Sequence, residues 1–150
     1  MRRFCKSWLI SGWICLAFLV PNLVLGASTI FLIPTQVTYS IAREFDITVR
    51  LNTRGQLVDK VEGGISFDNS ILVIKSISTE ESDVDFWLVE PTFLNNRGKV
   101  SFVAGMENKK GDDLNLFSIS FISLKIGITE VNISYGQVFS VDNNVGNIAG

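Results

Sequence analysis

The chain has 150 residues, 47% of them hydrophobic, with two cysteines, no histidine and a formal net charge of −2. That length holds one domain and can bury a core without disulfides. With no histidine, and with Cys5 and Cys15 both near the start, the main body has no means of thiol catalysis, His general-base catalysis or zinc binding through those ligands.

In chain order, the first segment reads as a leader. Arg2, Arg3 and Lys6 precede an apolar run from Trp8 to Leu25, and the small residues Gly26, Ala27 and Ser28 follow. This predicts a secretory signal peptide over 1–27, cut after Gly26 or Ala27. A single domain over 28–150 would follow, in a protein secreted or held at the cell surface. The rival reading is an uncleaved anchor, because the run is near the ~20 residues a span needs. Three of the thirteen Lys and Arg lie in the leader and all fifteen Asp and Glu lie beyond it, so the remainder carries a net charge of −5. That balance argues against nucleic acid or an anionic membrane surface as partner. A membrane enters only through an uncleaved leader.

Beyond Ser28 the hydrophobic period is two. Phe45, Ile47, Val49 and Leu51 share one face. So do Val61, Gly63, Ile65 and Phe67; Val100, Phe102 and Ala104; Phe117, Ile119 and Phe121; and Val131, Ile133 and Tyr135. Such alternation predicts strands with one buried and one wet face. The strands expected are 29–33, 36–40, 44–52, 60–67, 71–78, 85–93, 99–105, 115–124, 128–134 and 137–141. Turn chemistry separates them at Thr53-Arg54-Gly55, Asp68-Asn69-Ser70, Asn95-Asn96-Arg97-Gly98, Lys109–Asp113 and Asp142-Asn143-Asn144. Short strands at close spacing without a convincing helix predict an all-β sandwich.

Several segments, taken in order, resemble the cohesin family over Thr29 to Asn147. Val61-Glu62-Gly63-Gly64-Ile65-Ser66-Phe67-Asp68, followed by Leu72-Val73-Ile74, is similar to the family's alternating strand, S-[FY]-D turn and L-x-V strand. Asp46–Leu51, Asn96-Arg97-Gly98-Lys99-Val100-Ser101-Phe102, Leu116–Phe121 and Gly136-Gln137-Val138 resemble its other strands. The resemblance implies a nine-stranded antiparallel jelly-roll sandwich, related in fold to cellulose-binding modules, and no enzymatic activity. It also implies a dockerin-like partner, a small calcium-loaded helical module carried by secreted enzymes, in an extracellular assembly linked to polysaccharide breakdown.

The partner-binding face implied by the resemblance comprises Lys60, Glu62, Gly64, Val103, Gly105 and Glu107. Cellulosomal members often carry Asn and Asp where Lys60 and Glu62 stand, and an acidic residue where Gly105 stands. The Gly63-Gly64 pair either flattens the surface for a partner or, at Gly63, makes room for a large inward aromatic. Phe86 and Trp87 adjoin in one strand, so one of them faces outward. Trp87 is either a core plug or a carbohydrate contact. The outward positions elsewhere read as Ser, Thr, Lys and Glu, with no aromatic row. Glu80-Glu81-Ser82-Asp83-Val84-Asp85 has oxygen ligands enough for calcium but not EF-hand spacing, and is read as solvated charge. No catalytic residue, metal or cofactor is expected. The alternatives are a carbohydrate-binding module of the same fold superfamily, or a structural domain of a surface protein.

Overall fold

The computed structural model describes residues 27–34, 41–141 and 145–147. All of the expected 1–27 leader except its last residue, the strand expected at 36–40 and the turn at Asp142-Asn143-Asn144 lie outside the described residues. In chain order the strands are β1 (Thr29–Ile33), β2 (Glu44–Asn52), β3 (Val58–Phe67), β4 (Leu72–Ser78), β5 (Phe86–Leu94), β6 (Lys99–Lys109), β7 (Leu114–Ser123), β8 (Val131–Ser140) and β9 (Val145–Asn147). Eight of them have five residues or more, and β9 has three. One 3-10 turn at Asn95–Arg97 joins β5 to β6.

The strands form two antiparallel sheets, ordered β1-β2-β7-β4 and β5-β6-β3-β8-β9. The all-β sandwich expected from the alternation is present. The period-two pattern aims Val49, Leu51, Phe117, Ile119 and Phe121 of the first sheet at Val61, Ile65, Phe102, Ala104 and Val138 of the second, and all are buried. Aromatic rings fill the space between the sheets. Phe121 stacks on Phe45 at 5.6 Å and meets Phe67 edge-on at 5.2 Å. Phe102 meets Phe117 edge-on at 4.9 Å. Gly63 lies directly across from Phe102, where an added Cβ would meet the ring at 3.0 Å, so this glycine does make the room expected of it.

Most strands start or end within two residues of the expected bounds, and the larger departures have their reason in pairing. The segments 128–134 and 137–141 are one strand, because Gly136 pairs with Gly63 within the sheet instead of turning. The strand expected to stop at 105 runs on to Lys109. Glu107 and Asn108 take positive φ of 37° and 65° in an irregularity opposite Asp59, after which Lys109 pairs with Val58. The short strand Val145–Asn147, which pairs with β8, adds to the expected ones.

Side chains close the sandwich rims. Asn95 accepts from the Ile74 N–H at 2.8 Å and donates to the Ile74 carbonyl at 2.9 Å, supplying the edge strand β4 with a substitute partner. Buried Ser28 donates to the Thr53 carbonyl, and Thr53 accepts from the Gly111 N–H. In the β3–β4 turn, hydrogen bonds from the Ser70 side chain and N–H hold the Asp68 carboxyl below its ordinary range.

Candidate functional site

The outward face of the five-stranded sheet is built from cross-strand rows. Phe86, Gly105, Lys60 and Phe139 form the first. Val89, Val103, Glu62 and Gln137 form the second, and Thr92, Ser101, Gly64 and Tyr135 the third. Leu94, Lys99, Ser66 and Asn132 close the face at its far end. Lys60, Glu62, Gly64, Val103 and Gly105 therefore lie side by side on the two central strands. Glu107 is exposed and sits just past them, in the irregular stretch of β6.

The charges at the centre are paired with each other. Lys60 Nζ lies 3.0 Å from Glu62 Oε2 and 3.7 Å from the centroid of the Phe139 ring. Both side chains are about a third exposed. At that exposure the contact is worth ~0–1 kcal/mol, and it orients the two groups more than it stabilises the fold.

Two glycines of the face are covered by rings. A Cβ on Gly105 would meet Phe86 Cζ at 2.2 Å, Cε2 at 2.4 Å and Cε1 at 2.6 Å. Three adjoining ring atoms at nearly one distance mean that the ring lies face-down on the glycine. A Cβ on Gly64 would meet Tyr135 Cε1 at 2.2 Å, so the tyrosine ring covers that position. Only glycine admits these rings so close to the sheet. Phe86 keeps 46% exposure and Tyr135 47%.

Of the adjoining pair Phe86 is the outward ring, and two further rings that the outward positions did not promise join it. Phe86, Tyr135 and Phe139 all stand on the outward face. Alternation puts Tyr135 inward with Ile133, but β8 carries an irregularity there: Gly64 pairs with Tyr135 and Ile65 with Ile133, leaving Ser134 as an extra residue. That extra residue turns Tyr135 to the other face. Trp87 takes the inward place in β5, meeting Phe117 edge-on at 6.1 Å against the core.

The acidic loop after β4 is tied to the neighbouring strands. Asp83 Oδ2 accepts from the Asn115 N–H at 2.7 Å, and Ser82 Oγ donates to the Leu116 carbonyl at 2.6 Å. Asp85 pairs with Lys109 at 2.7 Å, and Lys109 also donates to the Asp83 carbonyl. Among the described residues no three His, Cys, Asp or Glu side chains gather as a metal site.

Solved structures share this architecture. A cohesin module from a Clostridium perfringens family 33 glycoside hydrolase superposes with a TM-score of 0.60 at 16% identity, covering 83% of this chain and 90% of that one. The fold is that of a cohesin module. A type I cohesin–dockerin complex from Clostridium thermocellum gives a TM-score of 0.60 at 14% identity, with coverage of 80% and 91%. A type II cohesin domain from the cellulosome of Acetivibrio cellulolyticus gives 0.60 at 10%, with coverage of 83% and 90%. No protein-family model matches the sequence, and no curated protein matches it.

Proposed function

We propose that this chain is a non-catalytic protein-binding module, secreted or held at the cell surface by its leader. Its partner surface is the outward face of the β5-β6-β3-β8-β9 sheet, and its partner is a dockerin-type module. The reading rests on one observation above all. In a cohesin fold, the central strands of one sheet offer an open strip with a semi-exposed carboxylate, Glu62, of which only Oε2 is engaged by Lys60. Its other oxygen can accept from a partner's hydroxyl or basic group. Two structures similar to this chain are cohesins in type I cohesin–dockerin and type II cohesin–X-dockerin complexes.

The test is calorimetric titration with purified type I dockerin and type II X-dockerin modules, in calcium and in chelator. Binding to one of them in calcium is expected. Glu62→Arg should then weaken it by about 10–100-fold, since it removes the acceptor and sets a second cation beside Lys60. If neither module binds, the dockerin assignment fails.

A second reading, carbohydrate binding linked to polysaccharide breakdown, is favoured by the outward rings of Phe86, Tyr135 and Phe139. Under it, cellohexaose should quench intrinsic fluorescence, and Phe86→Ala should abolish the effect while Trp87 stays in place. Fluorescence unchanged by cellohexaose would remove this reading.

A further inference from the structure

We infer that the leader is cut between Gly26 and Ala27, and that docking of Ser28 into the folded domain closes this bond to the peptidase. The inference rests on the reading of the first segment as a secretory leader. It specifies where the cut falls and when it can be made.

Residue size alone leaves several bonds open. A signal peptidase asks for small residues one and three places before the bond. Gly26 and Val24 stand there for a cut after Gly26, Ala27 and Leu25 for a cut after Ala27, and Ser28 and Gly26 for a cut after Ser28. By size the bond after Ser28 fits best. The fold opposes it.

Ser28 is 2% exposed. Its hydroxyl donates to the Thr53 carbonyl at 2.9 Å and lies 3.2 Å from the Gln56 side-chain oxygen. Thr53 is itself buried, its N–H donating to the Gly111 carbonyl and its hydroxyl accepting from the Gly111 N–H. Ser28 thus ties the start of β1 to the point where the β2–β3 and β6–β7 turns meet. A cut after Ser28 removes that tie and leaves the buried Thr53 carbonyl with the Gln56 N–H alone of its two donors.

A cut after Ala27 keeps Ser28 but makes it the first residue. Its nitrogen becomes an ammonium on a residue closed to water, beside the neutral Thr53 and Gln56. A buried, unpaired charge is costly. A cut after Gly26 meets neither objection. Ala27 is exposed, so its ammonium stands in water, and its carbonyl accepts from Thr29 Oγ1 at 3.3 Å. The step is a hydrolysis. Water adds across the bond, the C–N bond breaks, Gly26 leaves as a carboxylate and Ala27 keeps the nitrogen.

The same contacts set the order of events. A peptidase takes its substrate as an extended segment reaching to both sides of the bond. In the folded domain only Ala27 separates the bond from buried Ser28, and Thr29–Ile33 is already paired with β2. Cutting therefore requires β1 to be free of β2. Chains cut before β1 docks are released. Chains that fold first keep the leader and stay at the membrane, so one sequence supplies both a secreted and a surface-held form.

The experiment expresses the full chain in a secreting host and reads the N-terminus of the released protein by mass spectrometry. It should begin at Ala27. The full chain, folded in detergent micelles, and a synthetic peptide of residues 16–33 are then each given purified signal peptidase. The peptide should be cut after Gly26, and the folded chain at least about 100-fold more slowly. Ile30→Ala, which empties a buried position of β1, should raise the rate in the folded chain by at least about tenfold and leave the peptide's rate unchanged. Circular dichroism checks that this variant is folded, and the comparison of chain with peptide decides without it. A released protein that begins at Ser28 or Thr29, or a folded chain cut as fast as the peptide, would overturn the inference and leave the secretory reading standing. A peptide left uncut, with the full chain retained whole by the host, would remove the secretory reading and this inference with it.

Discussion

Phe117→Ala is expected to cost about 3–5 kcal/mol of folding stability, the range for emptying a buried phenylalanine site. The ring is 1% exposed and belongs to β7 of the four-stranded sheet. It is held by two rings of the opposite sheet, Phe102 at 4.9 Å and 70° and Trp87 at 6.1 Å and 70°. Removing it leaves a cavity between the sheets and takes away both edge-to-face contacts. Neither sheet can collapse into the space without moving a strand, because Val49, paired with Phe117 from β2, and Phe102, facing it from the opposite sheet, are themselves buried. A small sandwich has about 5–15 kcal/mol in total, so the loss is a large share of its stability. Urea denaturation followed by circular dichroism measures it, and a change below about 1 kcal/mol would show that the ring does not fill the inter-sheet space. The same truncation at Phe86, whose ring lies on the outer face, leaves this core intact and so separates stability from binding.

What could be read from the sequence, and what could not, follows from where side-chain period decides and where pairing decides. Phe45, Ile47, Val49 and Leu51 announce their strand because nothing interrupts the alternation, and each of the four is buried as expected. Gly63 could be read as room for an aromatic because a glycine at an inward position has few other uses. Tyr135 is put on the wrong face by the same rule. Val131 to Tyr135 alternates perfectly, and the extra residue that turns the ring outward exists only in the pairing of β8 with Gly64 and Ile65 of β3. The ring over Gly105 was half legible: Phe86 next to Trp87 forces one ring outward, but which one depends on the match of Trp87 with Ala104 and of Phe86 with Gly105. The continuation of β6 was hidden for a similar reason. Met106-Glu107-Asn108-Lys109 has the composition of a turn, and only the irregularity opposite Asp59 carries the strand through it. The candidate residues on β3 and β6 were legible as neighbours through the family resemblance. The aromatic frame around them was not.

Gly98→Ala is expected to be the second large loss, roughly 3 kcal/mol, and its cause is distinct from cavity formation. Gly98 follows the 3-10 turn with φ of 59°, a left-handed conformation that costs a non-glycine residue about 1–2 kcal/mol. It also lies against the start of the β3–β4 turn. An added Cβ would come to 2.1 Å from the Phe67 carbonyl oxygen, a backbone atom that cannot swing aside. Relief requires Gly98 to draw back from Phe67, whose N–H donates to the Gly98 carbonyl at 2.9 Å. Losing that bond adds about 0.5–1.5 kcal/mol. Gly55 provides the internal control. Its φ is 81°, but nothing lies within 4 Å of its Cβ position, so Gly55→Ala should cost only the conformational part, about 1–2 kcal/mol. The two midpoints in urea, measured side by side, separate backbone strain from steric conflict. Equal losses would mean that the Phe67 contact gives way without cost. A clearly larger loss at Gly98 would show that the turn between β5 and β6 is locked to the end of β3. That lock fixes the end of β3 next to β6, and so the register on which the alignment of Lys60, Glu62 and Gly64 with Gly105, Val103 and Ser101 depends.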